Sequence, residues 1–365
     1  MPILIPPINN LGDSNVFFMH NWRCAGSTLN SFFSSNFGDN YLKIGTQFSH
    51  FGWPLYGEPE RKSLSDIKPH LKSGSILGGH LCLGVQSFVP GCWDLWINAR
   101  NPIDRLSSGI KRFHAKAFSL PPGNYKKSYV RKRALLALDE LMKGPLRHEM
   151  NGVAKRLAGF SVIPSLQLDL NADLEAISCF EFEGDELDYL LPSRSALQDV
   201  KVIILQKYLH ASLICIEKKY SLSPLINLFS DGRHNSASLS KATSSELQSF
   251  SLVQNELRRY CECDISLWQD ICTLFSNQLA ECAVSKKDVL IREILHETPF
   301  LNVEWFSSGN FGDDQLVQII AKQLAFVGSK NHEIYDDIVS VATSWSRFDP
   351  DSADKIRYLA MSLKN

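Results

Sequence analysis

Four short runs rich in β-formers, "NVFFMH" (15–20), "GSILGGH" (74–80), "CWDLWINAR" (92–100) and "KVIILQKY" (201–208), are set far apart by stretches with helical spacing. Antiparallel hairpins need only a tight turn between strands, whereas parallel strands need long crossovers, usually helices. Apolar positions 29, 32, 33 and 37 in "TLNSFFSSNF" fit one helix face. Pro102 can open a second helix, residues 128–160 read as a long helical stretch with Gly159 as a stop, and "LHASLICIEKKYSL" follows the fourth strand. Residues 244–282 suggest two more helices. Strands alternating with helices point to a three-layer α/β/α fold with a mostly parallel central sheet. Residues 1–283 read as that α/β domain, and 284–365 as a C-terminal helical extension of unknown role.

The chain has 365 residues, 44% of them hydrophobic, enough for a substantial core. A net charge of -1 supplies no global field for nucleic acid, so any anion-binding function has to be local. No stretch reaches about 18 uninterrupted apolar residues, and the prolines of "MPILIPPINN" would break a signal helix. The expectation is a soluble, cytoplasmic protein without a membrane span. Nine cysteines, odd in number and without a C-x-x-C pair, read as mostly buried thiols rather than a zinc site. A Cys82–Cys92 bridge belongs only to an oxidising compartment. No histidine cluster suggests a metal.

Two connections carry candidate chemistry. After the first strand, Arg23, Cys24, Ala25, Gly26, Ser27 and Thr28 form a small-residue turn before a helix, whose free N–H groups and positive dipole end suit a phosphate. Gly26 would let the backbone approach, the Ser27 and Thr28 hydroxyls can donate, and Arg23 can neutralise charge. The spacing is not that of a nucleoside-triphosphatase loop, because G-x-x-x-x-G-K-[ST] is absent. After the third strand, Arg100 stands at the mouth of a helix on which Arg105 and Ser108, three apart, share a face. These groups either converge on a second anion or make a solvated basic helix start, with Arg105 paired to Asp104 or another acid.

In order and spacing these motifs resemble the sulfotransferases that use 3'-phosphoadenosine-5'-phosphosulfate (PAPS), most closely the carbohydrate O-sulfotransferases of the heparan sulfate 2-O and 6-O type. Their first signature, roughly His-x-Pro-Lys-Thr-Gly-Gly-Thr-Thr-Leu, aligns without a gap to "HNWRCAGSTL" (20–29). Their second, Arg-x-Pro-x-x-Arg-x-x-Ser, matches "RNPIDRLSS" (100–108) at every fixed position, and "GGHLCLG" puts His80 where the family has a histidine after a strand. Weaker echoes extend the likeness over about residues 15 to 280.

The resemblance implies a sulfotransferase fold and sulfuryl transfer from PAPS to a hydroxyl, with 3',5'-ADP as product and no metal. It implies that residues 23–28 hold the 5'-phosphosulfate and that Arg100 and Ser108, with Arg105, hold the 3'-phosphate. His80 would be the base and Arg23 the charge on the leaving oxygen. The family usually has Lys at Arg23, Thr at Cys24 and Pro at Trp22; arginine keeps the charge but does not readily give up a proton. Trp22 would pack on the adenosine or fill core. The acceptor is expected to be a small molecule or saccharide, met by His50 and Trp53 from an aromatic surface loop, with no nucleic-acid partner. The competing classes are a nucleotide-dependent phosphotransferase and an inactive binding protein of the same fold.

Overall fold

Strand β1 (Asn15–Met19) is buried on both sides, with Val16, Phe17, Phe18 and Met19 all at 0% exposure. A strand with no polar face needs a layer above and below it. The computed structural model describes residues 9–44, 64–159, 189–222, 225, 242–286 and 288–289, and the isolated positions 354, 357, 358 and 361. Their sheet holds five parallel strands in the order β2-β3-β1-β4-β5. The others are β2 (Tyr41–Lys43), β3 (Ile76–Gly79), β4 (Trp93–Ala99) and β5 (Val200–Leu205). Central β1 pairs Phe18 with Gly78 on one side and with Trp96 on the other.

On one face, helix α1 (Gly26–Phe37) lays Leu29, Phe32 and Phe33 onto Phe18, Ile76 and Trp96, as its spacing predicts. Leu213 and Ile216 of α7 (Leu209–Lys219) complete that layer. The opposite face is covered by α5 (Gly152–Ala158), α6 (Leu190–Gln198) and α9 (Glu262–Glu281), whose Val153, Leu157, Leu197, Leu267 and Ile271 pack with Phe17, Met19, Ile97 and Ile203. The fold is therefore α/β with a layer of helices on each side of an all-parallel sheet.

A third core joins Trp22 to α3 (Pro102–Gly109), α4 (Lys127–Lys143) and α8 (Ser244–Ser251) through Leu106, Leu138 and Phe250. Short α2 (Leu64–Ile67) completes the nine α-helices among the described residues. The terminal strand β5 is sealed at Ile203. Gln278 of α9 accepts from its N–H at 2.8 Å and donates to its carbonyl at 3.1 Å, occupying backbone groups that an open edge would leave free.

Two elements depart from the sequence reading. Strand β2 goes unannounced in the sequence, because three residues give no alternation to detect. The long helical stretch is broken, since α4 stops at Lys143 before Gly144 and Pro145 and α5 restarts only at Gly152. Most of the C-terminal extension lies outside the described residues, as do Cys179, His50 and Trp53. No described helix is long and apolar enough to cross a membrane.

Candidate functional site

Connections after β1, β3 and β4 leave the same edge of a parallel sheet, and the chain turns toward β2 after β1 but toward β5 after β4. In open α/β sheets such a reversal opens a crevice at the carboxyl ends of the strands, where ligands bind. His20 to Ala25, His80 and Arg100 all lie on these connections.

The β1–α1 connection is strained. Arg23 and Ala25 have φ of 60° and 65°, and intervening Cys24 is not among the positive-φ residues. Each left-handed non-glycine residue costs about 1–2 kcal/mol. Alternation of this kind points successive N–H groups to one side, the pattern of an anion-binding nest. It runs directly into α1, which has neither a side-chain cap nor an acid in its first turn.

Two buried asparagines hold this shape. Asn98 Oδ1 accepts from the Asn21 N–H at 2.6 Å, Asn98 Nδ2 donates to the Cys24 carbonyl at 2.7 Å, and Asn21 Nδ2 donates to the Asn98 carbonyl at 2.7 Å. Sequence reasoning passed over both. The available signal was an amide in the apolar run "LWINA", which has to be satisfied somewhere when buried.

Gly26 is required for a reason other than the expected one. A Cβ there would stand 1.4 Å from His20 Nε2, so the imidazole fills the space beside the helix start. His20 stacks on Phe18 with ring centroids 5.9 Å apart and meets His80 edge-on at 4.4 Å. Burial pushes the His20 pKa well below its ordinary value, and the positive fields of His80, Lys43 and Arg156 add to this, so the ring is neutral at pH 7. His80 follows β3, whose Gly79 carbonyl accepts from the His20 N–H at 2.8 Å.

At the second connection Asn101 caps α3, accepting from the N–H groups of Ile103 (3.1 Å) and Asp104 (3.3 Å), with Pro102 in the first turn. Ser108 on α3 then meets the first motif: Arg23 donates to its Oγ from Nε at 3.2 Å and from Nη2 at 3.0 Å. The Arg23 guanidinium also lies 5.6 Å from the centre of the Phe113 ring. Phe113 stands on a π-helical turn (Ile110–His114) continuing α3, a distortion often found at functional sites. Burial, then the charges of Arg112 and Arg100, push the Arg23 pKa down to about 10. Among the described residues no carboxylate forms an ion pair with Arg23 or Arg100. Burial and the charges of its neighbours thus both disfavour the protonated form of Arg23, a cost that a bound anion would relieve.

Arg105 does not join those arginines. It is fully buried and donates to Glu149 Oε2 (2.5 Å), the Glu149 carbonyl (2.7 Å) and Asp264 Oδ2 (3.1 Å). The structure turns it into the core instead of toward a 3'-phosphate, where this guanidinium links α3 to the turn before α5 and to α9. Arg156 also binds Glu149, at 2.8 Å. Although burial opposes ionisation, Arg156 and Arg105 outweigh it and hold the Glu149 carboxyl well below the usual range. Trp22 fills core, lying across Gly109, where a Cβ would meet its ring at 1.9 Å.

Thr28 is half-buried in the first turn of α1, whereas the Ser27 side chain lies outside the described parts. Among the described residues no group of three or more His, Cys, Asp or Glu is placed to hold a metal. No protein-family model matches this chain, and no curated protein matches it.

Proposed function

We propose that this chain is a PAPS-dependent O-sulfotransferase of sulfotransferase fold, acting in the cytoplasm on a saccharide or other hydroxylated small molecule. The observation that carries the reading is the meeting of two motifs 85 residues apart, with Arg23 on Ser108 and, among the described residues, no carboxylate ion-paired to Arg23 or Arg100. A nucleotide with separate 5' and 3' phosphate groups suits two such motifs on adjacent strand ends. The nest at Arg23–Ala25 and the start of α1 take the 5'-phosphosulfate, and Arg100 with Ser108 takes the 3'-phosphate.

His80 removes the proton from the acceptor hydroxyl as its oxygen attacks sulfur. The bond from sulfur to the 5'-phosphate oxygen breaks, and 3',5'-ADP leaves with the electron pair. Arg23 stabilises the charge on that oxygen. With a pKa near 10 it stays protonated at pH 7, so arginine serves as a fixed charge where the resembled family has lysine.

The test is transfer of labelled sulfate from PAPS to a panel of hydroxylated acceptors. His80→Ala is expected to abolish transfer while leaving 3',5'-ADP affinity unchanged. Full activity in that variant overturns His80 as base, and absence of transfer by the native chain across the panel overturns the enzyme reading.

A further inference from the structure

Between Leu106 and Leu138 the sequence carries eight lysines and arginines and no acid, although the whole chain has a net charge of -1. Helix α4 lies within this stretch and begins with Lys126 at its N-cap and Lys127 in its first turn, without an acid or a side-chain cap there. Cations at a helix N-terminus oppose the macrodipole, so helix stability does not explain this charge.

The outward face combines charge with apolar surface. Ala134, Leu138, Leu141 and Met142 of α4 are buried, and at 100° per residue Tyr129, Lys132, Arg133 and Leu136 fall on the other side. Leu136 is 50% exposed and Tyr129 44%, with Tyr125 stacked on Tyr129 at 5.1 Å. Arg131 is paired with Glu256, but Lys126, Lys127, Lys132 and Arg133 form no ion pair among the described residues. Acids appear only in the fourth turn, where Asp139 is held by Lys143 at 2.7 Å.

We propose that this face of α4 docks on an anionic lipid bilayer, its cations over the headgroups and Tyr129 and Leu136 at the acyl boundary. Charge complementarity selects an anionic partner. The exposed leucine and tyrosines favour a bilayer over a nucleic acid, because an aliphatic side chain gains from the interface and not from phosphates or base edges. The inference stands apart from the sulfotransferase reading.

Full-length protein is sedimented with vesicles of equal parts phosphatidylcholine and phosphatidylserine, and with phosphatidylcholine alone. Binding is expected only to the mixed vesicles, with release at high salt. Lys132→Gln with Arg133→Gln should lower the partition coefficient about 30-fold, at roughly fivefold per cation. Tyr129→Ser with Leu136→Ser should weaken binding without changing its salt dependence. These side chains are exposed, so the variants should melt with the native protein. Failure to bind the mixed vesicles, equal binding to neutral ones, or unchanged binding in the charge variant overturns the proposal. So does preference for a single-stranded oligonucleotide over the vesicles.

Discussion

Replacing Asn98 by alanine removes two side-chain hydrogen bonds and strands two buried partners, the Asn21 N–H and the Cys24 carbonyl. Each unsatisfied buried group costs about 1–3 kcal/mol, which sets an upper range near 2–6 kcal/mol. The loop has a way to escape part of that cost. Once unhooked, Arg23 and Ala25 can leave their left-handed conformations, recovering about 1–2 kcal/mol each. Subtracting that recovery leaves a net loss of about 0–2 kcal/mol, and the loop is released rather than the sheet unravelled. Two readouts separate these effects: urea unfolding followed by tryptophan fluorescence for the global loss, and hydrogen exchange of residues 20–26 for the loop. Asn98→Asp keeps the acceptor for Asn21 but turns a carboxylate oxygen on the Cys24 carbonyl, so it should be no better tolerated. A loss under about 0.5 kcal/mol with unchanged exchange in the loop would refute the claim that Asn98 holds the site in shape.

Glu149→Gln leaves Arg105 and Arg156 buried without their main counter-charge, and should cost about 3–5 kcal/mol in the same urea assay; a near-neutral result would show that Asp264 suffices. Stability should also fall as pH drops below about 6.5. The native His20 pKa is depressed, so in that range the unfolded chain binds a proton that the folded chain does not. The slope from this residue approaches about 1.4 kcal/mol per pH unit until the folded pKa is reached. His20→Gln should lower the proton uptake on unfolding at pH 5.5 by nearly one, and an unchanged uptake would mean that His20 titrates normally.

Much of the fold was legible because its signals are local. Continuous apolar runs mark strands buried on both faces, the phenylalanines of α1 repeat at helical spacing, and Pro102 announces α3. The two motifs follow two strands of one sheet, which the structure makes neighbours, and Arg23 of the first reaches Ser108 of the second. What could not be read depends on partners remote in sequence. Arg105 and Ser108 share a helix face, yet whether Arg105 turns to solvent or core is decided by Glu149 and Asp264, 44 and 159 residues away. The role of Asn98 likewise rests on a loop 77 residues earlier. Gly26 was picked out as small, but the neighbour that demands its smallness is His20, brought back by the turn between them.

The central claim is that the cation cluster at the ends of β1 and β4 holds a nucleotide with a 3'-phosphate. Titration calorimetry with 3',5'-ADP addresses it directly, with ATP and magnesium as comparison. The expected result is one site for 3',5'-ADP, weakened in Arg100→Ala by roughly 1.5–3 kcal/mol, the range for hydrogen bonds to charged groups. Binding of ATP with magnesium in the absence of any 3',5'-ADP binding would contradict it.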